Sequence, residues 1–140
     1  MIVLYDSDCG FCRWAMAWAV GRDDRHVLVT VPIQSPLGGE LLVEVRPSER
    51  LRAAHAINGD GSLYSGGAAA AQVLSVLAPT RALGQLATRL PRVTALLYGF
   101  IAARRTTFGR FAGPQARQRA DALLMATNAT TAAELSARER

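Results

Sequence analysis

At 140 residues, 50% of them hydrophobic and 19% charged, the chain is long enough to bury one core and too apolar to be disordered. The net charge of +5 rests on 16 basic residues that are all arginine. With Ala and Gly also abundant, this reads as a compositional habit, which discounts arginine as a nucleic-acid signal. No apolar run approaches the roughly 18 residues of a membrane span, and the short apolar start has no basic region of a secretory leader. A cytoplasmic location is therefore expected, where paired cysteines are more often catalytic or metal-binding than structural.

The first unit is a short apolar strand, Ile2–Tyr5, then the loop Asp6-Ser-Asp-Cys9, then a helix from about Cys9 to Val20. Cys9 and Cys12 thus fall where a strand ends and a helix begins. Unpaired N–H groups and the macrodipole favour an anion there, and the thiolate is the nucleophilic form of cysteine. Residues three apart share a helical face and can close a small disulfide ring. Strand, Cys-x-x-Cys and helix together read as a thioredoxin-like redox site. Three alternatives compete. Half of a zinc site needs further ligands, and only His26 and His55, far apart on predicted strands, are on offer. A purely structural disulfide would remove little chain entropy from so short a loop. Two reduced, inert core cysteines are the third alternative.

Ala15, Trp18 and Ala19, with Cys12 a turn earlier, are expected to face the sheet, and Trp14 to shape the rim of the site. Gly21–Arg25 reads as a polar turn and His26–Val31 as a second, β-branched strand, parallel to the first. A loop over 32–39 follows, then Glu40–Val45 as a short helix or a covering strand, with helix favoured. Leu51–Ile57, Asn58-Gly-Asp-Gly61 and Ser62–Ser65 form the clearest hairpin. His55, mid-strand, is expected to be a core histidine bonded to backbone. Gly66-Gly67 precede a helix over Ala68–Leu77, stopped by Pro79.

After Pro79 the chain reads as helical: Thr80–Leu90, then Pro91–Arg105 with proline in the first turn. Val93, Leu96, Leu97, Phe100 and Ile101 form an apolar stripe expected to pack on the domain. A loop over Thr106–Pro114 and a last helix over Gln115–Ala126 complete the pattern, with a polar tail over 127–140. One domain over 1–126 is expected, with its core in 1–78 and a helical extension over 79–126. Charge along it is uneven. No acidic residue occurs between Gly61 and Ala120, where eight arginines fall.

Asp8-Cys9 with Cys12 inside Leu4-Tyr-Asp-Ser-Asp-Cys-Gly-Phe-Cys12 resembles the DCC family of thiol–disulfide oxidoreductases, named for that pattern. Val31-Pro-Ile-Gln-Ser-Pro36, Asn58–Ser65, Leu90-Pro91, Tyr98 and Ala102-Ala-Arg-Arg105 resemble its further segments, so the likeness spans about residues 1–111 in order. It implies a thioredoxin-like α/β fold, β-α-β-α-β-β-α, with a mixed four-stranded sheet flanked by helices. Two departures stand out. Family members place Ser-Asp or a similar polar pair where this chain has Gly66-Gly67-Ala68, which weighs against dependence on glutathione. Thioredoxins carry a cis-proline directly before the third strand, whereas Pro47 lies upstream of Leu51.

The expected chemistry is dithiol–disulfide exchange with a disulfide or dithiol substrate, with neither cofactor nor resident metal. Cys9 attacks and Cys12 resolves the mixed disulfide. Asp6 and Asp8 admit two readings: a carboxylate near Cys9 opposes its thiolate, or Asp8 caps the helix, the favoured role for it, and Asp6 takes a proton from Cys12. The alternative is a binding module that uses its arginine-rich helices to contact an acidic partner or membrane surface.

Overall fold

The computed structural model describes residues 1–111 and 114–138, without the side chains of 110, 111, 117 and 128–138. Strand β1, Ile2–Tyr5, lies inside a four-stranded sheet of order β2-β1-β3-β4. It pairs parallel with β2, Val29–Pro32, and antiparallel with β3, His55–Ile57, which in turn pairs antiparallel with β4, Leu63–Ser65. Alternation along β1 builds two cores, because successive strand side chains point to opposite faces. Val3 and Tyr5 meet Met16, Ala17 and Ala19 of helix α1, Gly10–Val20, and Val73 of helix α4, Gly67–Val76. Leu4 points the other way, into Val31, Ile33 and Leu42, beside helix α2, Pro36–Leu41. Leu4 and Leu42 have no exposed surface, and each such burial contributes roughly 1.5–3 kcal/mol.

The thioredoxin-like order holds, while several boundaries differ from the sequence pattern. The second strand starts at Val29 instead of His26. Asp23 Oδ2 accepts the Leu28 N–H at 2.7 Å, and His26 takes φ 51°, so the turn after α1 extends past His26. Helix α2 starts at Pro36, not Glu40, because Ser35 caps it: its Oγ accepts the Gly38 N–H at 3.0 Å. Strand β3 holds only His55–Ile57 of the expected Leu51–Ile57, and a one-turn helix α3, Pro47–Arg50, precedes it. Its partner β1 ends where the cysteine loop departs, and the Ala54 N–H bonds to Tyr98 instead of a strand. The hairpin turn is as read: Gly61 has φ 84°, and Asp60 Oδ1 accepts the Ser62 N–H at 3.0 Å. That backbone bond, with the Ser62 hydroxyl, holds the Asp60 carboxyl below its usual range. His55 is a core histidine, with Nε2 2.9 Å from the Arg50 carbonyl and Nδ1 2.7 Å from Ser65 Oγ.

After a 3₁₀ turn, Ala78–Thr80, come α5, Arg81–Arg89, and α6, Pro91–Ala103. Two glycines let α5 and α6 settle on α4. A Cβ on Gly84 would fall inside the Ser75 backbone, and one on Gly67 would stand 2.9 Å from the Thr94 carbonyl oxygen. The apolar stripe of α6 does not pack on the domain. Thr94, Tyr98 and Ala102 make the half-buried edge, while Val93, Leu96, Leu97 and Phe100 face solvent and Ile101, 40% exposed, borders the cysteine site. The expected loop over 106–114 is instead helix α7, Arg105–Phe111. Gly109 is tolerated in it because the absence of a Cβ brings it close against the Phe11 backbone. Residues 112–113 of that loop lie outside the described residues. Helix α8 runs Pro114–Arg138, beyond the expected end at Ala126, and lays Ala120 and Leu124 into the α1 core. Residues 139–140 of the expected tail lie outside the described residues.

Candidate active site

The cysteine loop leaves β1 at Tyr5 and turns into α1 within four residues. Cys9 and Cys12 are joined in a disulfide, with Cα atoms 5.2 Å apart. Cys9, not Asp8, occupies the N-cap of α1: its backbone is extended, and its Sγ accepts the Cys12 N–H at 3.2 Å. Asp8 is displaced one residue outward and is exposed. The sulfur therefore takes the place that a capping carboxylate would fill, and an amide donor already points at it.

Asp6 holds the cysteine loop. Its Oδ1 accepts the Asp8 N–H at 2.9 Å and the Gln34 side-chain N–H at 2.6 Å. Gln34 also accepts from Ser7, at 3.1 Å from the backbone N–H and 2.9 Å from the hydroxyl. Its Nε2 lies 3.4 Å from Asp8 Oδ2 as well. One amide side chain, on the loop after β2, thus spans Asp6, Ser7 and Asp8 and sets the path of the chain into Cys9. Reasoning from composition and spacing did not single out Gln34; the signal was its place in Val31–Pro36, the segment resembling the family.

The two sulfurs open to unlike surroundings. Cys9 lines an open cleft of about 450 Å³ with Asp6, Asp8, Arg13, Arg105 and Thr106. Cys12 faces a small recess walled by Asp6, Phe11, Ala53, Ala54, Tyr98 and Ile101. Cys12 also borders an apolar groove of about 240 Å³ between α1 and α4, floored by Val3 and Tyr5. Ala15 and Trp18, expected against the sheet, are half-buried and line this groove; Met16, Ala17 and Ala19 are the buried residues of α1. Trp14 is 40% exposed on the outer side and stacks at 5.8 Å on Phe11, which reaches Phe108 of α7 at 5.9 Å.

The C-terminal helices complete the site. Tyr98 Oη accepts the Ala54 N–H at 2.9 Å, holding α6 beside Cys12. Arg105 donates to the Leu51 carbonyl at 3.1 Å and borders both the cleft of Cys9 and the recess of Cys12. Arg13, just past Cys12, pairs with Asp121 of α8, Nε to Oδ1 at 3.4 Å, without the alignment of a hydrogen bond. Opposite the disulfide stands Ala53-Ala54, and Pro47 instead opens α3. His26 is exposed in its turn and His55 is bonded within the sheet, so neither joins the cysteines; among the described residues no three metal-ligating side chains cluster.

A Cys-x-x-Cys disulfide at a strand-to-helix junction, inside a β2-β1-β3-β4 mixed sheet flanked by helices, defines a thioredoxin-like thiol–disulfide protein. The model of the DCC1-like thiol-disulfide oxidoreductase family matches residues 3–111, and the chain belongs to that family. Neither the curated proteins nor the solved structures give a match.

Proposed function

We propose that Cys9 and Cys12 pass two electrons to a substrate disulfide, with Cys9 as the attacking thiolate and Cys12 as the resolving thiol. Attack by Cys9 on one substrate sulfur forms the mixed disulfide and expels the other substrate sulfur as a thiolate. Cys12 then attacks Cys9 Sγ, closes the Cys9–Cys12 bond and releases the second substrate thiolate. The two thiol protons of the protein end on the two substrate sulfurs, so the cycle balances, and it runs backwards with a dithiol substrate.

The observation that carries this reading is the asymmetry of the pair. Cys9 lies on the open cleft with the Cys12 amide directed at its sulfur, a donor that stabilises negative charge there. Cys12 lies one turn into α1 and borders only the small recess and the apolar groove, not the polar cleft of Cys9. Asp6 borders both spaces, which supports it as the carboxylate that takes the Cys12 proton during resolution. Asp8, exposed at the rim, shapes the cleft without capping the helix.

Equilibration with defined dithiol buffers, followed by thiol trapping, tests the reading. A reversible two-electron transition within roughly −120 to −270 mV is expected, and its position separates an oxidant from a reductant. Thiols that label only on unfolding, or that never close an intramolecular disulfide, would end the proposal.

A further inference from the structure

The helices α5 and α6 expose apolar side chains that a folded surface normally covers. On α5 these are Leu83 and Leu86, with Leu90 just after it; on α6 they include Leu96, Leu97 and Phe100, at 76%, 60% and 55% exposure. Each set follows helical spacing on one side of its helix. Each helix is anchored on its opposite side, α5 through Gly84 and α6 through the Thr94–Tyr98–Ala102 edge. The apolar faces are thus left over after the helices have packed on α4. Large apolar side chains exposed together on two touching helices suit a contact surface.

Charge decides what the contact is. Between Gly61 and Ala120 the sequence has no carboxylate, while Arg81, Arg89, Arg92, Arg104 and Arg105 belong to or flank α5 and α6. Arg104 lies over the Phe100 ring, 3.9 Å from its centroid, so a cation sits directly on the apolar face. A second copy of this chain would bring one acid-free arginine set against another, which costs like-charge repulsion. A nucleic acid matches the charge and leaves the leucines in water. Apolar residues interleaved with arginines match an interface that is apolar inside and anionic at its rim.

We infer that the α5–α6 face docks on the surface of an anionic lipid bilayer, with the leucines and Phe100 in the acyl boundary and the arginines among the headgroups. The contact is interfacial, since among the described residues no helix is long and apolar enough to cross a membrane. It also orients the thiol site. Ile101, near the end of α6, and Arg105, which opens α7, border the recess of Cys12, so its mouth lies beside the docked face. The inference does not depend on thiol chemistry, and its measurement is the same in a Cys9→Ser chain.

Vesicle co-sedimentation of the full chain tests it, using phosphatidylcholine alone and phosphatidylcholine with phosphatidylglycerol. Binding is expected on the mixed vesicles, weakening as salt rises from roughly 0.05 to 0.5 M. Leu96→Asp with Leu97→Asp, both at exposed positions, is expected to weaken it by at least about tenfold. Arg89→Gln with Arg92→Gln keeps every apolar contact and should lose about fivefold per arginine. No binding to the mixed vesicles at low salt overturns the inference, as does binding that both variants leave unchanged. Sedimentation of the wild type as a dimer that the aspartates dissociate, without vesicle binding, would assign the face to self-association instead.

Discussion

The Tyr98 hydroxyl accepts the Ala54 N–H at 2.9 Å, tying helix α6 to the residue just before strand β3, 44 positions earlier in the chain. Ala54 also accepts from Gly66 at 2.9 Å, so the backbone opposite the disulfide is held from both sides. The C-terminal helices therefore build one wall of the Cys12 recess.

Tyr98→Phe keeps the ring against the recess and strands the Ala54 N–H in a half-buried place. A loss of about 1–3 kcal/mol in urea unfolding is expected, with the redox potential little changed. Tyr98→Ala removes the wall as well, and alkylation of reduced Cys12 should accelerate. Equal alkylation rates in wild type and Tyr98→Ala would mean that Tyr98 does not shield the sulfur.

The roles of the two sulfurs separate in trapping experiments. Cys12→Ser leaves the attacking thiol without its resolving partner, so a mixed disulfide with a small aromatic disulfide should accumulate and persist. Cys9→Ser should leave only the recessed thiol, and adduct formation should fall by at least about tenfold, the range over which access and thiolate character control exchange. Equal adducts from both variants, measured by intact mass, would reverse or abolish the assignment.

Asp6 combines a loop contact with a proposed proton transfer, and substitution can part them. Asp6→Asn keeps an oxygen to accept from Asp8 and Gln34 but cannot take a proton. Resolution should slow by roughly 10²-fold or more with initial attack intact. Gln34→Ala loses the clamp and keeps the carboxylate, so a stability loss of about 0.5–1.5 kcal/mol is expected instead. Stopped-flow kinetics in which Asp6→Asn matches wild type in both steps would remove the relay.

Gly84 reports how closely α5 approaches α4. In Gly84→Ala the new methyl overlaps the Ser75 backbone, which cannot give way as a flexible side chain would. A destabilisation of about 1–3 kcal/mol is expected from overpacking. Gly99→Ala, with open space at its Cβ, is the control and should be neutral or stabilising by about 0.5–1 kcal/mol through helix propensity. Similar melting temperatures for all three chains would show that α5 yields at little cost.

The site was legible in the sequence wherever local chemistry set it. A short apolar run followed by Asp-x-x-Cys-x-x-Cys places both sulfurs at a helix start, and Asn-Gly-Asp-Gly places the hairpin. Asp8 as helix cap was not borne out. Residues compete for the N-cap, and the turn that Gln34 imposes on Asp6 and Ser7 moves Cys9 into it. Gln34 comes from the loop after the neighbouring strand, so no window around the cysteines contains it. Phe108 and Gly109 read locally as loop, yet packing on Phe11 holds them in a helix.

The α6 stripe shows the same limit from the other side. Helical spacing at Val93, Leu96, Leu97, Phe100 and Ile101 determines that one face is apolar, but not that the domain buries it. Gly67 and Gly84 decided the matter, because helix axes approach most closely where no Cβ intervenes, and those contacts seat the opposite edges on α4. The sequence by itself determined the elements, the redox pair and the acid-free arginine segment, all properties of neighbouring residues. Only the tertiary structure decided what walls the spaces around the two sulfurs, which side chains hold the cysteine loop, and which apolar face is left for solvent or lipid. Those depend on contacts between residues dozens of positions apart, where packing geometry outweighs local preference.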